Sequence, residues 1–189
     1  MHSFNALFVC ASASLLSSTL ALPTVPSALP LDRRACQVSY PTSMVESTPF
    51  HTAKTEWDFC ISYDKQVRYA NFNDIPSTAR GACQLEFIFP AGYDVANSQS
   101  RQINVWKTDR PIEEADTWDT APEATTLFGT VTLKSNPTEE TRIVVNSGEC
   151  ASMKHFKFTI ADNKEGGVVY RQQYPPTGPA AGMRIVHSC

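Results

Sequence analysis

Residues 83–90 read CQLEFIFP, and the spacing of their apolar side chains decides the fold class. Successive side chains of an extended chain point to opposite faces, so Cys83, Leu85, Phe87 and Phe89 share one face and Gln84 and Glu86 the other. Pro90 has no N–H to continue a ladder and ends the strand. Residues 57–63, WDFCISY, repeat the pattern, with Trp57, Phe59, Ile61 and Tyr63 set against Asp58, Cys60 and Ser62. In MKHFKFTIAD, residues 153–162, Phe156, Phe158 and Ile160 oppose His155, Lys157 and Thr159.

The same reading extends to RQINVWK (101–107), TLFGTVTL (126–133), TRIVVN (141–146), GVVYRQQY (167–174) and MRIVH (183–187). Each is bounded by Gly, Pro, Asn or Ser. About eight short strands, with almost no apolar repeat of helical period, predict an all-β fold, a single antiparallel β-sandwich. The one helix expected is short, over PIEEADTW (111–118), where Pro111 suits a first turn and Glu113 and Glu114 suit its positive end.

The amino-terminal region has a different character. Residues 6–16, ALFVCASASLL, followed by small side chains to Ala21, predict a signal peptide over 1–21. That apolar stretch is shorter than the roughly 20 residues a membrane span requires. Residues 22–34, LPTVPSALPLDRR, carry three prolines and no periodicity, and predict an extended pro-segment. The dibasic pair Arg33 and Arg34 at its end is the expected processing point; the plain alternative is a solvated pair in a tail. The working domain is then 35–189, long enough to bury roughly 70% of its unfolded surface.

This reading places the protein outside the cell, secreted or wall-associated. Five cysteines remain after removal of the signal: Cys36, Cys60, Cys83, Cys150 and Cys189. On an oxidising route most of them pair. Cys83 with Cys150 is the favoured bridge because both flank core strands, and one thiol stays unpaired or joins another chain. No CxxC occurs, which argues against a zinc knuckle or a thioredoxin-like motif. The formal charge of -3 and dispersed basic residues argue against a nucleic-acid partner, and the mature form is expected to have no membrane association.

Chemistry leaves few marks. There is no GxSxG elbow and no HExxH spacing. His51, His155 and His187 lie far apart in sequence, so no metal site and no cofactor is expected. A copper oxygenase would need an amino-terminal histidine, and neither Leu22 nor Ala35 is one. Glycosidase chemistry needs two convergent carboxylates. Glu113, Glu114, Asp116 and Asp119 around Trp118, beside Asp109 and Arg110, form the densest acidic stretch, and a soluble loop is the expected reading. Glu86 is the other carboxylate of interest, with exposure expected from its parity. Trp106, Trp118 and Tyr174 are the candidate ligand-binding residues, with Tyr170 a further aromatic of a possible platform. Asn136 precedes Pro137, so no N-glycosylation sequon is expected there.

The order and spacing of YANFNDIP (69–76), CQLEFIFP, RQINVWKT (101–108), SGEC (147–150) and GGVVYRQQY (166–174) resemble the fungal But-two C-terminal domain family over 38–189. The family is named from a protein that binds a ubiquitin-like-protein activating enzyme. The resemblance implies a β-sandwich, a fungal source and a mostly secreted or wall-associated setting, and carries no catalytic residues. A cytosolic partner is not transferred to a secreted chain. The resulting expectation is a non-enzymatic protein that binds cell-wall polysaccharide or an extracellular protein. The alternatives are a glycan-active enzyme using paired carboxylates and a surface or host protein-interaction module.

Overall fold

Thirteen strands, all paired antiparallel, make three sheets in the computed structural model, which describes residues 35–100, 102–162 and 164–189. The expected signal peptide, the pro-segment and Arg33 and Arg34 lie outside the described residues. In chain order the strands are β1 (Gln37–Ser39), β2 (Ser43–Thr48), β3 (His51–Thr55), β4 (Asp58–Ser62), β5 (Val67–Phe72) and β6 (Ala82–Phe89). They continue with β7 (Ala96–Asn97), β8 (Gln102–Thr108), β9 (Ala124–Thr132), β10 (Thr141–Glu149), β11 (Lys154–Ile160), β12 (Gly167–Arg171) and β13 (Gly182–His187). The eight expected strands are all present; β1, β2, β3, β5 and β7 are additional.

Sheet A runs β1-β13-β6-β10, sheet B runs β3-β2-β5-β11-β8-β9, and sheet C runs β4-β12-β7. Their inward faces share one core. Leu85, Phe87, Phe89, Met183 and Ile185 come from sheet A; Phe72, Ile103, Val105, Phe156 and Phe158 come from sheet B. Sheet C supplies Phe59, Ile61, Val168 and Tyr170. Phe87 is the junction: its ring meets Phe59 at 6.3 Å, Phe158 at 6.2 Å and Tyr170 at 6.1 Å between centroids, all edge-on. Edge-to-face geometry suits the ring quadrupoles and adds about 0.5–1.5 kcal/mol per pair beyond burial.

Sheet B also has a second apolar face, where Val45, Ala53 and Tyr69 pack with Ile112. Ile112 belongs to the 109–123 segment, where turns stand in place of the short helix expected over 111–118. The reason is local. Asp116 accepts both guanidinium nitrogens of Arg110 and the Glu113 amide, and the Ala53 amide donates to the Asp116 carbonyl at 2.9 Å. These partners tie the segment down in a conformation that a helix would break.

At one side the sandwich closes edge to edge. The Asn146 side-chain amide of β10 donates to the Phe128 carbonyl of β9 at 2.7 Å, and a side chain at Gly129 would meet Val145 at 2.8 Å. At the termini, β1 pairs with β13, and Cys36 is bridged to Cys189 across a separation of 153 residues. His187 is buried there, its Nε2 at 3.1 Å from Ser39 Oγ and its Nδ1 at 3.1 Å from Ser188 Oγ. The second bridge is Cys83–Cys150.

Two outcomes follow from this packing. Phe87→Ala removes the ring common to all three sheets and should cost about 3–5 kcal/mol, measured by urea unfolding; a loss below about 1 kcal/mol would place the junction elsewhere. Burial pushes the His187 ring pKa down from 6.5, so between its folded value and 6.5 the unfolded chain holds the extra proton and stability rises with pH. His155 is displaced in the same direction by burial. Thermal midpoints should therefore fall as pH drops from 7.5 to 5, and less steeply in His187→Gln; parallel slopes in the two proteins would remove His187 as a contributor.

Candidate functional site

A groove of about 270 Å³ opens where β4 and β12 run out, lined by Trp57, Arg171, Gln172, Gln173, Tyr174 and Thr177. The construction starts from the segment 172–183. The Gln172 side chain accepts from the Met183 amide at 2.8 Å and donates to the Met183 carbonyl at 3.0 Å. The Gln173 and Ala181 backbones exchange two hydrogen bonds at 2.8 and 2.9 Å. Together they clamp the base of the proline loop. Gly182, at φ +104°, lies against Gln172 and Tyr170, where any side chain would collide and the backbone conformation itself favours glycine. Inside the loop the Thr177 amide and hydroxyl both donate to the Tyr174 carbonyl, fixing Tyr174 at its near end.

Tyr174 then stacks on Tyr40 with centroids 5.2 Å apart and planes 20° apart, and meets Trp57 edge-on at 5.5 Å. The Gln172 amide donates to the Trp57 carbonyl at 2.9 Å, registering the tryptophan against the loop. Trp57 keeps 37% of its surface in solvent. Beside it, Arg171 is exposed and 3.9 Å from Asp58, an exposed pair that holds little energy. Arg171 also borders a second hollow with Asp58, Tyr93 and Asp94. The arrangement offers apolar ring faces flanked by the Gln173 amide, the Arg171 guanidinium and the nearby Asp58 carboxylate, since the Gln172 side chain is buried and spent on Met183.

The three aromatic candidates do not come together. Trp106 is half-buried on β8, its indole N–H donating to Thr159 Oγ1 at 3.1 Å. Trp118 is exposed in the 109–123 segment, and Tyr170 is a core residue stacked on Phe59 at 4.7 Å. Of the expected platform only Tyr174 lines the groove. Trp57, Tyr40 and Arg171 are its unforeseen partners. A signal for them exists: Trp57 is the residue just before β4, where parity with Phe59 no longer means cover, and Tyr40 directly precedes Pro41.

The carboxylates do not converge either. Glu86 is fully buried rather than exposed. It lies on the outer face of sheet A, where Arg142 approaches at 2.6 Å and Arg184 at 2.8 Å, with Gln84 donating at 2.8 Å. Long side chains from β10 and β13 cover it. Asp116 is buried in the 109–123 segment on sheet B, and the Arg110 hydrogen bonds hold its carboxyl below the usual range. Glu114 accepts from the Thr55 hydroxyl. A fixed, fully ionised Asp116 is suited to structure rather than to proton transfer.

Among the described residues Cys60 is the free thiol, half-buried on β4 and donating to Gln66 at 3.1 Å. Burial pushes its pKa up, which lowers the thiolate fraction that reaction requires. The side chain of His51 lies outside what the structure describes; His155 and His187 sit on sheets B and A. Among the described residues no group of three or more His, Cys, Asp or Glu is placed to hold a metal ion, and no helix is long and apolar enough to cross a membrane. A wider hollow, about 740 Å³, lies at the seam of the termini between Ala35, Arg80 and Cys189. The Ser39–His187 pair has the spacing of a nucleophile and its base, yet both residues are buried and neither lines that hollow.

No curated protein matches the chain. A family match covers residues 41–176, from the segment before β2 into the proline loop that carries Tyr174, under the description ubiquitin 3 binding protein But2 C-terminal domain. That match spans more than half of the chain, and the chain therefore belongs to the But2 C-terminal domain family.

Proposed function

We propose that the protein is a secreted fungal binding module without enzymatic activity, and that its ligand is a polysaccharide of the cell wall or extracellular matrix. The observation that carries this reading is the Tyr40–Tyr174–Trp57 cluster bordering an open groove that also presents Gln173, Thr177 and Arg171. Sugar rings have apolar faces that pack on aromatic rings and hydroxyls that bond to amides and charged groups. Secretion draws support from the amino-terminal sequence and from the two disulfides, which persist in oxidising compartments. The family description names ubiquitin 3 binding; a secreted chain would not meet such a partner, and it is not carried over.

The test is co-sedimentation of the purified protein with insoluble chitin, β-glucan and whole fungal wall, with heat-denatured protein as the control. Saturable binding to one of them is expected. Trp57→Ala and Tyr174→Ala should each weaken it about tenfold, equivalent to about 1.4 kcal/mol, while Trp106→Phe leaves it unchanged. Absence of binding to all three materials would overturn the polysaccharide reading.

A further inference from the structure

Most charged side chains of this domain that make close contacts do so with the opposite sign. Arg68 meets Glu46, Arg110 meets Asp116, and Arg142 and Arg184 share Glu86. Lys157, over the Tyr69 ring, is a lone exception; a paired one stands at the end of sheet B. A hollow of about 170 Å³ at the end of sheet B is lined by Lys107, Thr108, Met153, Lys154, His155 and Phe156. Lys107 and Phe156 are direct cross-strand partners in the β8–β11 pairing, and Lys154 lies two residues before Phe156, on the same face. The two lysines are therefore diagonal neighbours, with Cα atoms roughly 7–8 Å apart, over a floor made by a buried phenylalanine.

Neither lysine has a carboxylate within 4.0 Å among the described residues. Lys107 holds its ammonium 5.4 Å from the Phe128 ring centroid, which fixes its position and leaves its charge uncompensated. Lys154 is half-buried; burial first and then the Lys107 charge push its pKa down, and Glu149 only partly opposes them. In a chain of formal charge -3, this is a site where cations crowd at a cost that an anion would relieve.

We propose that this hollow binds a phosphate dianion, free or carried on a sugar, between Lys107 and Lys154. A phosphate monoester carries about -1.5 to -2 at pH 7, which matches two ammonium groups, whereas one carboxylate neutralises only half of the charge. Several acceptor oxygens on one centre also let both lysines bond to it at once; the His155 ring, one residue from Lys154 and Phe156, is on the opposite face of the sheet and takes no part. The site shares no residue with the groove at Trp57, so it stands or falls independently of the polysaccharide reading.

The test is amide and side-chain NMR of the full chain titrated with inorganic phosphate, with glucose 6-phosphate and with glucose, sodium chloride holding the ionic strength constant. Saturable shifts at Lys107 and Lys154 are expected with the first two and not with glucose. Lys107→Gln and Lys154→Gln, whose side chains are solvent-accessible and whose spectra should otherwise match the parent, should each lower the affinity tenfold or more. Equal affinities for the two phosphates identify the free oxyanion as sufficient; a tenfold preference for the sugar phosphate identifies a sugar-borne group. Unsaturable shifts, or affinities unchanged in both variants, would overturn the proposal.

Discussion

The structure depends on one aromatic junction. Phe87 of sheet A, Phe158 of sheet B, and Phe59 and Tyr170 of sheet C bring their rings together where three sheets meet. A three-stranded sheet such as C buries too little on its own to be stable, and its strands stay in place because Phe59, Ile61, Val168 and Tyr170 enter a core belonging to the other two. Burying each large ring contributes roughly 1.5–3 kcal/mol. Core side chains are close-packed, so a shift of one ring is transmitted to the others.

The groove is a consequence of that junction. Phe59 and Tyr170 anchor β4 and β12 from below, and the ends of the same two strands lead into Trp57 and Arg171. Beyond Arg171 the Gln172–Met183 and Gln173–Ala181 hydrogen bonds carry the rigidity of β13 into the proline loop, so that Tyr174 is held by the sandwich rather than by the loop alone. A binding surface held in advance loses less conformational freedom when a ligand arrives. The two disulfides act at other points of the frame: Cys83–Cys150 ties the start of β6 to the residue after β10, and Cys36–Cys189 joins the two ends of the domain.

Much of the frame was legible from alternation alone. Phe59, Ile61, Leu85, Phe87, Phe89, Phe156 and Phe158 are buried where parity places them, because a strand with one covered face must alternate. The same rule failed at Glu86, since parity tells which face a residue takes and not what lies above it; Arg142 and Arg184 arrive from strands remote in sequence. It was silent for β5, where Arg68, Tyr69, Ala70, Asn71 and Phe72 are all buried. A strand covered on both faces shows no alternation, and here the second cover is the 109–123 segment, whose own turns depend on the Arg110–Asp116 contact. The site was less legible than the frame. Composition pointed to Trp106, Trp118 and Tyr174, but a platform forms only where separate chain segments end together: Trp57 and Tyr174 meet through the pairing of β4 with β12, and Tyr40 arrives from the end of β1.

The chain contains three tryptophans, and each has a different environment: Trp57 in the groove, Trp106 tied to Thr159, Trp118 in the loop over sheet B. Their indole N–H resonances therefore give three separable reporters. The most direct measurement is to assign them and titrate the protein with soluble oligomers of chitin and of β-glucan, the ligand class proposed for the groove. The expected result is a saturable shift of the Trp57 resonance, with Trp106 and Trp118 stationary. Movement of Trp118 or Trp106 while Trp57 stays fixed would contradict the assignment of the groove.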